Sequence, residues 1–281
     1  MKVLVGVDKS QESHVALAYS CHLLEHFHAD IHALYVKPDE ADLAPDSFYA
    51  PFFSKDGLER WLDSEALQVQ EEALNTCQYC LAGKVPCNPM IAEGDPAETI
   101  LELSEEGDYG MIVLGSHGHS SLKGFLLGTV HAKVLHNATK PVLIVRDYRE
   151  IKRVVVAYRG SDCDQQALEF IAPLLGRKAP EITVVYVQER DRGESDESAK
   201  ACVMTGYDTL KNLGHEPVVK ILKGDFVDEV IREVKSSLCD LLVLGAYGHQ
   251  KPKYLHLLSD EALNLVRSTT KPVLVFRGAK R

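Results

Sequence analysis

The residues best suited to chemistry by type and spacing fall in one stretch: Gly115-Ser116-His117-Gly118, nine further residues, then Gly128-Thr129. The apolar run Met111–Leu114 precedes it, and residues at helical spacing near Gly128–His136 follow it. A strand feeding a glycine-rich loop and then a helix start presents free backbone N–H groups. With the positive end of the helix dipole, these favour an anion. Gly115 and Gly118 let the backbone approach a ligand closely and take positive φ. Ser116, Ser120, Ser121 and Thr129 add hydroxyl donors. The chemistry is that of cradling a polyphosphate. The spacing is neither G-x-x-x-x-G-K-[ST] nor G-x-G-x-x-G.

Other reactive side chains carry weaker signals. Asp8 ends the first apolar run, Val3–Val7, where it can meet a ribose hydroxyl or a metal-bound phosphate, or act as a turn acceptor. The intact glycine loop favours ligand contact. His117 and His119 can exchange protons with phosphate. No nucleophile–base–orienter set is legible, however, and no arginine lies in the loop to stabilise a phosphoryl transition state, so no catalytic residue is assigned. His22 and His26 stand at i, i+4 and can share a metal, but they read as a polar helix face. Cys77-x2-Cys80, with Cys87 beyond, allows zinc or redox chemistry. Its place late in a predicted helix favours structural thiols.

The elements that position these residues occur twice. KVLVGVDKSQES at Lys2 resembles RVVVAYRGSDCD at Arg153, and IHALYVKP at Ile31 resembles ITVVYVQE at Ile182. IAEGDPAETILEL, MIVLGSHGH and TKPVLIVR, at Ile91, Met111 and Thr139, return as ILKGDFVDEVIREV, LLVLGAYGH and TKPVLVFR at Ile221, Leu241 and Thr270. Five matches in one order divide the 281 residues into two domains, 1–147 and 151–281. The offset is 151 residues at the first two pairs, 130 at the next two and 131 at the last, so the first half carries about 21 extra residues after its second strand.

Each half alternates apolar runs with helical spacing. In the first half strands are expected at Val3–Val7, Ile31–Val36, Val85–Ile91, Met111–Leu114 and Pro141–Val145. Helices are expected from Ser10 to His28, over Leu58–Leu81, from Asp95 and near Gly128–His136. Continuous apolar strands between helices predict an α/β fold of two tandem open, mainly parallel five-stranded sheets flanked by helices. Ligands of such sheets lie at the carboxyl ends of the strands.

Composition narrows the partners. Against 41 acidic residues stand 31 Lys and Arg, and the net charge of −10 argues against nucleic acid and against an anionic membrane surface. No apolar run approaches a membrane span of about 20 residues. Asp8 interrupts the apolar N-terminus too early for a signal peptide, so a cytoplasmic protein is expected. Seven irregularly spaced cysteines suit reduced, mostly buried thiols.

The G-2x-G-9x-G-[ST] pattern formed by Gly115, Gly118, Gly128 and Thr129 resembles that of the ATP-binding branch of the universal stress protein (UspA) family. GSHG after a strand, the TKPVL strand and an aspartate ending the first strand strengthen the likeness, which covers the whole chain twice. The resemblance implies a Rossmann-like sheet related to the adenine nucleotide alpha hydrolases. It implies ATP or ADP, carried with Mg2+, at the ends of strands one and four. Carried over by motif, Asp8 meets the nucleoside, Val36 the adenine through its backbone, and Leu114 the base or ribose. Gly115, Gly118, Gly128, Thr129 and Val130 hold the phosphates, and Ser116 and His117 touch phosphate or metal. The family's single domains often dimerise through their last strands, so a tandem chain would pair Val142–Val145 with Val273–Phe276 internally, a homodimer staying open. The implied role is nucleotide-dependent stress resistance. A slow Mg-dependent ATPase and a nucleotide-free scaffold remain alternatives.

The second half departs from the pattern. Gly245-Ala246-Tyr247-Gly248 is kept, but Leu258 and Ser259 replace the last glycine and its hydroxyl neighbour, and Arg159 replaces Asp8. A degenerate site is expected there. The extra segment, Asp39–Asp63, holds Phe48, Tyr49, Phe52, Phe53 and Trp61, which suit either a protein partner or a lid over the site. Its charged counterpart, Glu189–Lys200, reads as a mobile loop.

Overall fold

Lys2–Gly6 (β1), Asp30–Lys37 (β2), Cys87–Glu93 (β3), Tyr109–Gly115 (β4) and Val142–Val145 (β5) are the strands of the first half. Gln11–Leu23 (α1), Lys55–Leu81 (α2), Pro96–Glu106 (α3) and Thr129–Asn137 (α4) alternate with them. The second half repeats the order with strands Arg153–Ala157 (β6), Glu181–Gln188 (β7), Val218–Lys223 (β8), Leu241–Gly245 (β9) and Val273–Phe276 (β10). Its helices are Asp162–Leu175 (α5), Asp196–Asn212 (α6), Phe226–Ser236 (α7) and Asp260–Ser268 (α8). These come from a computed structural model that describes residues 1–38, 55–81, 85–116, 128–176, 180–189, 193–246 and 260–277.

Among the described residues the ten strands form one sheet, in the order β3-β2-β1-β4-β5-β10-β9-β6-β7-β8. Neighbours are parallel except at the centre. There β5 and β10 run antiparallel, with Leu143 opposite Leu274. The two expected five-stranded sheets are therefore joined edge to edge through the last strands. The central strands β1, β4, β5, β6, β9 and β10 are almost wholly buried, as strands covered on both faces must be. One apolar layer lies under α1, α2, α5 and α6 and a second under α3, α4, α7 and α8. Both layers contain residues of both halves.

Helix starts follow local chemistry. Ser10, Asp95, Ser161, Ser195 and Asp225 cap α1, α3, α5, α6 and α7, each side chain accepting the N–H three residues on. α1 is shorter than the spacing predicts. It ends at Leu23, where the Leu24 N–H turns back to Ser20 and His22, so His26 lies beyond the helix. The expected loop Glu189–Lys200 is partly helical. Ser195 caps α6 and the Tyr186 hydroxyl bonds Glu194, because local capping outweighs the charge of the segment. No helix among the described residues is long and apolar enough to cross a membrane.

Candidate functional site

The carboxyl ends of β1, β2 and β4 open, as in other parallel sheets, onto a cavity of about 310 Å³. That lies at the small end of ligand pockets. Leu34 and Val36 of β2, Leu114 of β4, Ile100 of α3 and Val130 of α4 form its apolar walls. Asp8, Gly115, Gly128 and Thr129 join them, so the fold brings together seven of the ten residues singled out in the sequence. Ser116 is buried at the end of β4 and is not part of the lining. His117 and Gly118 lie outside the described residues.

Asp8 follows β1 and has a structural task there. Its carboxylate accepts the N–H of Ser10 at 2.9 Å and also the Ser10 hydroxyl, which shapes the turn into α1. The turn-acceptor reading of Asp8 is seen in these bonds, and the residue also lines the cavity. Gly115 differs from expectation. It does not adopt positive φ, and a Cβ on it would sit 2.6 Å from the Glu12 carbonyl oxygen at the start of α1. Close helix–strand packing therefore dictates glycine at this position. Gly128 is the N-cap of α4 with φ −59° and offers no side-chain acceptor, so backbone groups front the cavity at this helix end. His131, one turn along, donates its Nε2 hydrogen to the Gly115 carbonyl and ties α4 to β4. Because a carbonyl only accepts, this bond fixes the tautomer.

Sequence reasoning missed Ser13, Tyr35, Glu65, Pro96 and His131 in the lining. Glu65 comes from the part of the helix next to the extra segment. α2 has 27 residues and its counterpart α6 has 17, and the longer helix reaches over the site. The buried Glu65 carboxylate accepts the Tyr35 hydroxyl at 2.8 Å and pairs with Lys9 at 2.6 Å. Burial and this carboxylate push the Tyr35 phenol well above its usual range. Lys9 in turn lies 5.1 Å from the ring centroid of Trp61, and Lys37 pairs with Asp63 at 2.8 Å. Of the expected aromatic segment, Trp61 lies beside the Lys9 that pairs with Glu65, while Phe48, Tyr49, Phe52 and Phe53 lie outside the described residues. Proximity to the extra segment was the one signal that could have pointed to Glu65.

The matching positions of the second half are filled differently. Arg159 stands for Asp8, Phe226 for Pro96 and Glu261 for Val130. The Arg159 guanidinium is buried, pairs with Glu261 at 2.6 Å and lies 4.2 Å over the Phe226 ring. Asp164, in the place of Ser13, accepts the N–H groups of Arg159 and Ser161 at 3.1 Å each, while burial raises its carboxyl above the ordinary range. The second half thus occupies these positions with side chains that bond one another. Among the described residues no group of three His, Cys, Asp or Glu side chains is arranged to hold a metal ion, the expected polar cluster around His22 and His26 included.

Residues 1–146 and 150–277 each match the universal stress protein family. A universal stress protein of Synechocystis is 29% identical over 175 residues, covering 61% of this chain and 59% of that protein. One of Bacillus subtilis is 34% identical over 149 residues, covering 52% of this chain and 98% of its own. Among solved structures, a universal stress protein from Archaeoglobus fulgidus superposes with a TM-score of 0.76 at 22% identity, over 99% of this chain and 98% of that one. This last likeness is one of fold.

Proposed function

The chain belongs to the universal stress protein family, and on that premise we propose that its first half binds one adenine nucleotide per chain, as a regulatory rather than an efficiently catalytic protein. The observation that carries this reading is the cavity at the ends of β1, β2 and β4, apolar on its walls and closed on one side by the N-terminus of α4. Leu34, Val36, Ile100 and Leu114 suit the faces of a purine. Asp8 suits a ribose hydroxyl or a phosphate-bound Mg2+, which needs only one or two carboxylates when phosphates supply its other ligands. The first-turn N–H groups of α4, led by Gly128, Thr129 and Val130, suit phosphate oxygens. ATP brings the phosphate charge and the energy of its phosphoanhydride bonds. The chain's own residues bind and orient it.

A regulatory reading rests on the lining itself. The described lining holds two carboxylates, and both already serve structural bonds. No arginine or lysine is among the described lining residues, so no cation there is aimed at a departing phosphoryl group. Occupancy would change the surface around the N-terminus of α4, which a partner can read.

The second half is a pseudo-site in this reading. Arg159 carries the wrong charge for the Asp8 role, and its pair with Glu261 takes up the entrance to α8. The test is to release and count the nucleotide carried by protein purified without added ligand, and to titrate the emptied protein with Mg-ATP. One ATP or ADP per chain is expected, and Gly128→Leu should lower affinity at least tenfold. Two per chain would overturn the pseudo-site. No binding at all would favour a nucleotide-free scaffold, and turnover of ATP lost in Gly128→Leu would favour an enzyme.

A further inference from the structure

A second cavity, of about 560 Å³, lies where the two halves meet, and the proposed function leaves it unused. The first half contributes Glu105 of α3 and Lys140 and Pro141 ahead of β5. The second contributes Phe170 of α5 and Phe276 and Arg277 at the end of β10. The volume falls in the range of ligand pockets, and a seam between domains is a usual place for one. The Phe170 and Phe276 rings, with centroids 5.4 Å apart and planes tilted by 54°, form an apolar floor together with Pro141. Two cations stand against one carboxylate in the described lining, in a chain whose net charge is −10. Arg277 is buried and donates to the Ala138 and His136 carbonyls. The Lys140 side chain is 23% exposed and reaches Glu105 only at 3.9 Å. An ammonium has three N–H donors, so Lys140 can serve a second carboxylate. The cavity is not a consequence of the duplication. At the related place in the other half Tyr19 stands for Phe170 and is wholly buried. Its hydroxyl donates to the Asp240 carbonyl at 3.4 Å, and Arg149, from the segment joining the halves, pairs with Asp240 at 3.9 Å. The chain itself fills that place.

We propose that this cavity is a binding site for a small aromatic carboxylate. The ring of the ligand packs on Phe170 and Phe276, since aromatic edges and faces attract one another. Its carboxylate accepts hydrogen bonds from Lys140, and Arg277 adds to the positive field. A carboxylate taken out of water needs such a partner, because burying it unpaired is costly. A neutral aromatic compound gains the ring contacts without the ion pair. A polyphosphate brings more charge than one lysine and one arginine balance beside Glu105 and the apolar floor. The site is therefore distinct in kind from the cavity at β1, β2 and β4, whose described lining holds no lysine or arginine. Both halves build it, so the ligand bridges Lys140 of one and Phe170 of the other and stabilises their junction by mass action.

The full-length protein is tested by equilibrium dialysis against naphthalene-1-carboxylate and, in parallel, its neutral counterpart naphthalene-1-methanol. One carboxylate per chain is expected, with the alcohol bound about tenfold more weakly, the worth of one charge-assisted hydrogen bond. Lys140→Glu should weaken the carboxylate by about tenfold or more and leave the alcohol unchanged, a split that a general loss of structure does not produce. Saturating Mg-ATP should not displace the carboxylate. Equal affinity for acid and alcohol, an unchanged affinity in Lys140→Glu, displacement by ATP, or no binding at millimolar carboxylate would each overturn the proposal. The comparison of acid and alcohol on the parent protein decides the matter even if the variant folds poorly.

Discussion

Gly115 and Gly128 show how one residue type answers to different constraints within one motif. Gly115 is pressed against the α1 backbone, with the Glu12 carbonyl oxygen 2.6 Å from where a Cβ would sit. Backbone cannot yield as a flexible side chain can. Gly115→Ala should therefore cost about 2–3 kcal/mol in urea denaturation, as overpacking does. At Gly128 a Cβ would meet, among the described residues, only the His131 ring, at 3.0 Å. Gly128→Leu should act chiefly on ligand affinity, with stability nearly unchanged. The motif spacing was legible in the sequence, but the separate reason for each glycine was not, because it depends on which distant backbone lies alongside. The same holds for Glu65, whose partners Tyr35 and Lys9 come from two other parts of the chain.

At the scale of elements, capping and periodicity set most of the outcome. Asp95 and Pro96 start α3 where the sequence places it, since the aspartate accepts the Glu98 N–H at 2.8 Å and proline suits the first turn. That hydrogen bond, aided by Lys133, holds the Asp95 carboxyl below the usual carboxylate value. A depressed folded-state value means that its contribution is complete above the unfolded value near pH 4. The contribution fades as pH falls through the folded one. Asp95→Ala should lose about 1 kcal/mol at neutral pH. The gap to the parent protein should close in acid, which urea melts at a series of pH values will show. Helix α2 supplies a second test. Trp61 is the one tryptophan of the chain, and it stacks on the Lys9 that pairs with Glu65 in the cavity wall. Adding ATP should change the intrinsic fluorescence along a single saturable curve, and Gly128→Leu should flatten it. The length of α2 was legible in its spacing. Its reach over the site was not, because a helical period says which face is apolar and not what that face meets.

The whole molecule is organised by its central antiparallel pair. Arg146, just after β5, donates to the Val266 carbonyl of α8 at 2.7 Å, and Arg277, just after β10, donates to the Ala138 and His136 carbonyls beside α4 at 2.8 and 3.0 Å. Each half thus fastens the other's last helix in near-symmetric fashion, and the Tyr19 hydroxyl of α1 reaches Asp240 across the junction. Cutting the chain would expose the fully buried edge Val142–Val145. Residues 1–147 expressed alone should therefore self-associate. Light scattering after size exclusion would read this, and a stable monomer would contradict it. By itself the sequence determined the duplication, the alternation of strand and helix, the parallel sheet and the spacing of the glycines, because hydrophobic period, caps and spacing are local properties. The tertiary structure decided the continuous ten-stranded sheet, the place of Glu65 in the cavity lining with Lys9 and Trp61 beside it, the Arg159–Glu261 pair in the second half and the contact of Cys21 with Cys77. Each of these joins residues far apart in the chain, and only the register of the strands and the packing of helices on them bring such residues into contact.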